Sequence, residues 1–325
     1  MELFLGIDTS CYTTSLAIVD GKGNLLSEAR RLLAVPKGGR GLAQNEAVFQ
    51  HIANMAELFK EVIADYNIDC LQGVCASIRP RPVDGSYMPV FTVAESYGKS
   101  AAILNNIPFV GTSHQEGHIA AGVWSAQGPR ESTFLAVHLS GGTTEVLKVT
   151  KCLSGQQLFN IELLGGSSDL HAGQFIDRVG VALGLPFPAG PHMEKLAVNS
   201  SLDVTLPSSV KGYDISFSGP EAAAMRMIEK NVESSDIARA VERCVGNSLE
   251  KVIGRAMDET GISSVLVVGG VSANLYIRER LFKRLQRNYG STRMYFADPS
   301  LSTDNAVGVA LLGLSILTKE STCFS

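Results

Sequence analysis

The chain has 325 residues, 45% of them hydrophobic and 18% charged, which is typical of a globular protein long enough for two domains. The formal net charge of −4 gives no overall basic field, so any RNA contact would depend on a local patch. The chain has no apolar run long enough to span a membrane, no basic N-terminal signal segment and no Cys-x-x-Cys pair among its six cysteines, so we expect a cytoplasmic protein with reduced thiols and no membrane contact.

The first 33 residues predict a strand, a hydroxyl-rich turn and a returning hairpin. Apolar residues 3–7 lead into Asp8, residues 9–15 are mostly polar, and residues 16–20 and 25–33 continue as strands. The turn offers backbone N–H and hydroxyl donors to phosphate oxygens, and Asp8 can hold a hydrated cation. Ordinary hairpins also carry Asp and Thr, so the turn alone leaves a plain hairpin equally open.

A helix with apolar periodicity is predicted over residues 45–59, and His51 on it is interpreted as a packing or surface histidine. A strand within residues 70–78 then leads to Arg79-Pro-Arg-Pro82, which two prolines make rigid. This basic loop suits an anion, and a purely structural loop fits it equally well. A further helix is predicted over residues 93–104.

Two histidines follow the short apolar strand predicted at residues 107–111. His114 and His118 are four residues apart, so they share one face of a helix and can grip one metal ion. The HExxH metalloprotease pattern does not fit, because Gln115 stands where that pattern needs a glutamate. Two ordinary histidines near a helix start remain the alternative.

The strand–turn–strand pattern recurs about 130 residues later. Residues 134–139, apolar apart from His138, predict a strand, Ser140-Gly-Gly142 opens a tight turn, and residues 145–150 return as a strand. Glycines let backbone N–H groups approach a phosphate closely. Two such hairpins predict an α/β protein with the duplicated, two-lobed actin-like ATPase fold around a nucleotide cleft. We expect an N-terminal lobe at residues 1–110 and a C-terminal lobe at residues 111–325, the last helix being free to pack back on the first lobe.

The remaining sequence predicts mainly helices and one further site where a nucleotide could bind. Helices are expected at residues 171–185, 221–231, 235–257, 275–287 and 305–317, and residues 186–194 are expected to form a loop. Residues 265–268 form a strand that meets Gly269-Gly270 and a helix start, where Asn274 offers a polar side chain to ribose or base. Asp304 lies just before the closing helix, as a metal ligand or as an ordinary helix cap.

Taken together, these motifs resemble the TsaD family, formerly called O-sialoglycoprotein endopeptidases, nearly from end to end. The resemblance rests on Gly6-Ile-Asp-Thr-Ser-Cys, His114-x-x-x-His118, Leu139-Ser-Gly-Gly142, Asp177, Pro188-Ala-Gly-Pro191, Phe217-Ser-Gly, Gly269-Gly-Val-Ser-Ala-Asn274 and Ser302-Thr-Asp-Asn305.

The resemblance implies an actin-like transferase. Members of the family move a threonylcarbamoyl group from threonylcarbamoyl-AMP to the N6 amine of the adenosine beside a tRNA anticodon, with TsaB-like and TsaE-like partners. It implies one divalent metal, iron or zinc, and an adenine nucleotide, ATP or threonylcarbamoyl-AMP. The implied metal ligands are His114, His118 and Asp304. Ser140, Gly141 and Gly142 would contact the phosphate, and Asp177, Gly190 and Asn274 the nucleoside, with Glu194 nearby. His138 occupies the position of a tyrosine ligand in archaeal relatives, and we hypothesise that it completes the metal coordination.

Four motifs depart from the family pattern. Cys11-Tyr-Thr-Thr14 lacks the usual acidic pair, Thr143 follows Ser-Gly-Gly in place of His or Asn, Arg79-Pro-Arg-Pro82 replaces Gly-Pro-Gly-Leu, and Asp169-Leu-His-Ala-Gly-Gln174 replaces Asp-Asp-Ala-x-Gly-Glu. These changes suggest a divergent paralogue. The alternatives are a related carbamoyl or acyl transferase with another acceptor and a non-catalytic nucleotide-binding partner of a true TsaD.

Overall fold

The computed structural model describes residues 1–10, 12–36, 42–152, 157–319 and 324. Cys11 of the Cys11-Tyr-Thr-Thr14 motif lies outside these ranges, as do Lys37 and Arg40, two basic residues that could contact RNA. The strands of the described chain are β1 (Leu3–Asp8), β2 (Thr13–Asp20), β3 (Leu25–Leu32), β4 (Leu71–Arg79), β5 (Phe109–Ser113), β6 (Thr133–Leu139), β7 (Thr144–Lys151), β8 (Phe159–Gly166), β9 (Ser209–Lys211), β10 (Asp214–Ser216), β11 (Ser264–Val268) and β12 (Arg293–Phe296). The helices are α1 (Gln44–Ile63), α2 (Phe91–Asn105), α3 (His114–Ser125), α4 (Ala172–Ala182), α5 (Gly190–Ala197), α6 (Ser218–Glu229), α7 (Ser234–Thr260), α8 (Leu275–Asn288), α9 (Pro299–Ser302) and α10 (Val307–Thr318).

Two five-stranded sheets repeat one topology. The first has the strand order β3-β2-β1-β4-β5 and the second β12-β11-β6-β7-β8. In each sheet an antiparallel three-stranded meander is extended by two parallel strands. This is the internal duplication that the two matching hairpins predict.

The closing helix α10 packs on the first sheet. Its contacts run along β1, β4 and α3, and all six residues of β1 are buried. Gly6 in β1 permits this approach, because an added Cβ would overlap backbone atoms of Ala306 and Ala310. A central apolar cluster therefore joins α3 and α10 to β6, β7 and β11 of the second sheet. The expected lobe boundary near residue 110 stays a prediction.

Several predicted elements have different bounds in the structure. Residues 190–197 form α5 in place of the expected loop, and Pro191 suits the first turn of that helix because its missing N–H has no partner to lose there. The strand β8 was not predicted, and its exposed residues lack a clear alternation of apolar and polar side chains. In the described ranges, no helix combines the length and the apolar character needed to cross a bilayer. Cys70, Cys75, Cys152 and Cys244 are free thiols there.

Candidate metal and nucleotide site

The polar residues of the site stand at the carboxyl ends of parallel strands. Asp8 ends β1, Arg79 ends β4, and His114 begins α3 directly after β5. From the second sheet, His138 in β6 pairs with Val268 in β11. In sheets of this kind, ligands bind at the carboxyl ends of the strands where the chain direction diverges. The two sheets therefore present their polar residues to a shared crevice.

His114, His118 and Asp304 converge in the structure. One ligand atom from each side chain lies within 4.8 Å of the others. The Oδ1 atom of Asp304 is 3.5 Å from His114 Nε2 and 3.3 Å from His118 Nε2. Two imidazoles and a carboxylate are a donor set that zinc and iron accept. The three residues named from the sequence are therefore brought together, and their role as metal ligands stays a prediction.

The start of α3 is fixed by a reciprocal cap. The Ser113 side chain accepts the Glu116 N–H, and the Glu116 carboxylate accepts the Ser113 N–H at 2.9 Å. This capping box holds the first turn of the helix and thereby the His114 backbone. Because Glu116 is buried in this role, it is not free to act as the general base of a metalloprotease.

His138 lies against the two α3 histidines. Its side chain is 2% exposed, and its ring centroid is 4.7 Å from that of His118 and 6.3 Å from that of His114. Neither of its ring nitrogens has a hydrogen-bond partner among the described residues. Buried polar atoms are rarely left unpaired, so these orphaned nitrogens fit a metal ligand.

Asp8 lies behind His114. It is fully buried, accepts hydrogen bonds from the Ser10 and Ser77 hydroxyls, and its Oδ1 is 3.2 Å from His114 Nδ1. A carboxylate on Nδ1 of a histidine orients the ring and leaves Nε2 free for a metal. In the structure Asp8 lies next to His114, and its predicted role in binding a cation or nucleotide stays a prediction.

The pKa values of the three histidines of the site are shifted in different directions. Burial lowers the pKa of His114, but the Asp8 and Asp304 carboxylates outweigh burial and raise it to about 10. Burial lowers the pKa of His118, and the neighbouring His114 lowers it further. The pKa of His138 is held well below its ordinary value by burial and by His118 and His114. Burial and the neighbouring histidines thus favour the neutral imidazole of His118 and His138, which is the form that binds a metal.

The Ser140-Gly-Gly turn is held by internal hydrogen bonds, and its glycines have free space beside them. The Ser140 N–H donates to the Thr143 carbonyl at 2.8 Å, and Gly142 N–H donates to the Ser140 hydroxyl at 3.3 Å. A Cβ added at Gly141 or Gly142 would meet nothing within 4 Å. This leaves room beside the turn for a phosphate.

Asp177 shares a pocket with that turn. The pocket has a volume of about 120 Å³ and is lined by Tyr12, Gly141, Gln174, Asp177, Arg178, Val181 and Phe187. Asp177 accepts the N–H of Ala189 at 2.7 Å. Burial raises its pKa to about 6, although the N–H groups of Ala189 and Gly190 lower it. Asp177 thus anchors the start of α5 while facing the pocket.

Asn274 and Glu194 both serve the start of α8. The Asn274 side chain accepts the Ile277 N–H at 2.9 Å, and Glu194 accepts the Leu275 N–H at 2.7 Å. Asn274 also donates to Glu242 at 2.6 Å. Their predicted role in nucleoside binding is untested, and in the structure both are engaged in capping.

Three buried polar residues were not selected from the sequence. Glu242 pairs with Arg239 at 2.7 Å, and burial raises its pKa to about 7. Glu145 joins Arg81 to Gln115. His51, expected to be a packing histidine, is fully buried, and its Nδ1 lies 2.9 Å from the Thr14 hydroxyl. Of these contacts, only the Arg239–Glu242 pair has a spacing, three residues on one helix, that the sequence shows.

Two groups of basic residues could form the local patch that an RNA contact needs: Arg30, Arg31, Lys37 and Arg40 in the first lobe, and Arg278, Arg280, Lys283, Arg284 and Arg287 on α8. Most of those in the described ranges have partners within the protein. Arg30 donates to the Ser300 carbonyl, and Arg31 pairs with Glu61. On α8, Arg278 donates to the carbonyls of Ser272 and Ala297, and the Arg280, Lys283 and Arg284 side chains bind Asn247, Glu279 and Glu250. These four basic side chains of α8 thus have partners within the protein.

A sequence model of the family described as "tRNA N6-adenosine threonylcarbamoyltransferase" matches residues 29–311. A protein of that description from Prochlorococcus marinus (strain MIT 9312) is 32% identical over 339 aligned positions, which cover 98% of this chain and 90% of the relative. Among solved structures, HypF from T. kodakarensis has a TM-score of 0.63 at 13% identity, covering 100% of this chain and 49% of HypF. A ROK family glucokinase from Streptomyces griseus has a TM-score of 0.54 at 13% identity, covering 96% and 99% of the two chains. These two likenesses concern the fold alone, and they confirm the predicted actin-like ATPase fold.

Proposed function

Because the chain belongs to the tRNA N6-adenosine threonylcarbamoyltransferase family, we propose that it moves a threonylcarbamoyl group from threonylcarbamoyl-AMP to the N6 amine of the adenosine next to a tRNA anticodon. The observation that carries the proposal is the convergence of His114, His118 and Asp304 beside the open Ser140-Gly-Gly turn. The substrates themselves come from the family and not from the site.

We further propose that His114, His118 and Asp304 hold one divalent metal, iron or zinc, with His138 as a fourth ligand. The unpaired ring nitrogens of His138 in the described chain support this donor set. A metal bound there would supply Lewis-acid polarisation to a substrate carbonyl. Asp8 would keep the His114 ring in its ligating orientation.

The adenylate would lie along the crevice. The Gly141 N–H would donate to its phosphate, the Gly142 N–H being bonded to the Ser140 hydroxyl, and the pocket bounded by Tyr12, Asp177 and Phe187 would take its nucleoside. The edge-to-face contact of the Tyr12 and Phe187 rings, with centroids 5.6 Å apart, closes one side of this pocket. These residues would bind and orient the donor molecule while its carbonyl faces the histidines.

TsaB-like and TsaE-like partners and a tRNA remain part of the proposal. Large apolar side chains are exposed on the neighbouring helices α1 and α2, namely Phe49, Ile52, Ile103 and Leu104. Exposed apolar side chains are a common feature of protein interfaces. We propose that α1 and α2 contribute to the contact with a TsaB-like partner.

The test is a transfer assay read by mass spectrometry of the nucleosides. Purified protein is given threonylcarbamoyl-AMP and unmodified tRNA, with and without the bacterial partner proteins. We expect threonylcarbamoyladenosine from the wild-type protein and none from a His114→Ala variant, with His192→Ala, a change of an exposed histidine on α5, as the active control.

A related transferase with another acceptor is the second candidate. Arg79-Pro-Arg-Pro82 stands where the family has a glycine loop, and this change lies beside the proposed reaction site. Binding of the adenylate without modified tRNA, in the presence of the partners, would favour this candidate or a non-catalytic role over the proposed function.

A further inference from the structure

A basic cluster, made of Arg79, Arg81, Gln115, Glu145 and His171, lies beside the proposed metal site. Arg79 ends β4 and pairs in register with Ser113, the residue before His114. The Pro80 carbonyl accepts the Gln115 N–H at 3.0 Å. The Arg79-Pro-Arg-Pro82 loop is therefore attached to the first turn of α3, and its two prolines restrict its backbone.

Arg81 crosses from the first sheet to the second. Its guanidinium lies 2.5 Å from Glu145 Oε1 on β7, and Gln115 donates to Glu145 Oε2 at 2.7 Å. Both carboxylate oxygens of the buried Glu145 are thus used to hold two groups in place. The Arg81 side chain remains 43% exposed, so its other N–H donors are open to a ligand.

One buried donor of the cluster lacks a partner. Within the described ranges, the Nε atom of Arg79 makes no hydrogen bond. Burying a polar atom without a partner is costly, and Arg79 flanks the crevice. A ligand that accepts hydrogen bonds would satisfy the Arg79 donor.

The charges of the cluster favour a singly charged anion. Arg81 faces the Glu145 carboxylate, and burial lowers the pKa of the neighbouring His171 imidazole. Arg79 and Arg81 together outnumber the Glu145 carboxylate by one charge. The planar fork of arginine matches a carboxylate in a bidentate arrangement.

The position of the cluster relates it to the donor molecule. Gln115 follows His114 on α3, and the helix that begins after His171 donates its Gly173 N–H to the Ser140 carbonyl at 3.2 Å. The cluster thus adjoins both the histidines and the Ser140 turn. In threonylcarbamoyl-AMP, the adenylate phosphate and the threonyl carboxylate lie on opposite sides of the carbamoyl carbonyl.

We propose that Arg79 and Arg81 bind the free carboxylate of the threonyl part of the transferred group, with Glu145 and Gln115 as positioning residues for Arg81. This inference rests on the proposed function, because it takes the donor molecule from there. The Arg79-Pro-Arg-Pro82 loop, which departs from the family pattern, would then select a donor derived from an amino acid.

The test compares two stable, non-transferring adenylates by calorimetry: an analogue of threonylcarbamoyl-AMP and the same analogue with the carboxylate replaced by hydrogen. Wild-type protein should bind the carboxylate form roughly 10- to 100-fold more tightly, as expected for charge-assisted hydrogen bonds. Arg81→Gln should bring the ratio of the two affinities close to one, while its affinity for the analogue without the carboxylate should stay within about twofold of wild type. Arg79→Gln should lower the ratio as well. Arg255→Gln, which breaks an exposed ion pair on α7, should change neither affinity, and melting curves check that each variant is folded.

Equal binding of both adenylates to the wild-type protein would overturn the inference and leave the proposed function intact. An Arg81→Gln variant that weakens both adenylates equally would also overturn it, because Arg81 would then only join the two sheets. If Arg81→Gln left the ratio of the two adenylate affinities unchanged but weakened tRNA binding in a salt-dependent way, Arg81 would bind an RNA phosphate and the inference would fail. If the wild-type protein binds neither adenylate, the inference and the proposed function both fail.

Discussion

His138 is the residue at which the structure adds most to the proposed metal site. An imidazole buried without hydrogen bonds costs about 1 to 3 kcal/mol for each unpaired polar atom, and both of its nitrogens are unpaired in the described chain. Ligation of a metal by one nitrogen would offset part of this cost. The side chain is therefore better explained by a ligand than by packing alone.

We predict that His138→Ala lowers metal content or changes the coordination of the metal. Protein purified without oxygen would be measured by elemental analysis and X-ray absorption, with His192→Ala as the control. Unchanged occupancy together with unchanged coordination would show that His138 is not a ligand.

Glu242 gives a pH dependence that is independent of the metal. Burial raises its pKa from 4.5 to about 7, so the folded protein keeps this proton while the unfolded chain loses it. The free energy of unfolding therefore falls as the pH rises from about 4.5 to about 7, and this contribution is constant above that range.

A Glu242→Gln variant has no such proton, so its stability relative to wild type should increase across that interval, by up to about 3 kcal/mol. The measurement is denaturant unfolding at several pH values, and Glu229→Gln, at an exposed position on α6, is the control. A difference that stays constant with pH would contradict the shifted pKa.

Among the elements, the crossing of α3 and α10 sets the distance between the proposed ligands. A Cβ at Gly308 would overlap the Gly117 carbonyl and come within 2.8 Å of the Ala121 nitrogen. The absence of that Cβ lets α10 lie against α3, which brings Asp304 to His118.

Gly308→Ala should destabilise the protein by roughly 1 to 3 kcal/mol, because overpacking displaces backbone. It should also weaken metal binding more than its effect on folding would explain, since Asp304 and His118 move apart. Thermal unfolding and metal titration measure the two effects. Gly290→Ala, where a Cβ meets nothing within 4 Å, should change neither, and a Gly308→Ala protein with wild-type stability would refute the packing argument.

The elements also show what the sequence could and could not predict. The His114–His118 spacing and the two hairpins are local patterns, and the structure forms the helix and the strands where they were expected. The Asn274 cap is a local pattern, because its side chain accepts the N–H three residues later. The engagement of Glu194 in capping was not predictable, because Glu194 reaches α8 from a helix 81 residues earlier in the chain. The Arg81–Glu145 pair and the burial of Glu242 likewise depend on tertiary packing, which no local pattern encodes.

For the whole molecule, the proposed metal would connect the two sheets. His114 and His118 follow β5 of the first sheet, Asp304 precedes the helix packed on β1, and His138 belongs to β6 of the second sheet. A ligand bound only by the folded state stabilises it by RT ln(1 + [L]/Kd), or about 2.7 kcal/mol at a hundredfold excess over Kd.

Zinc or ferrous ion added to metal-stripped protein should therefore raise the free energy of unfolding as its concentration increases. Magnesium should have little effect, since it prefers oxygen ligands in octahedral geometry. The rise should be lost in His118→Ala, reduced in His138→Ala and retained in His192→Ala, all measured by denaturant unfolding. If His118→Ala responded to zinc and iron as the wild type does, the stabilising ion would bind elsewhere. If only His138→Ala kept the full response, the metal would be held by α3 and Asp304 alone and would not join the second sheet to the first.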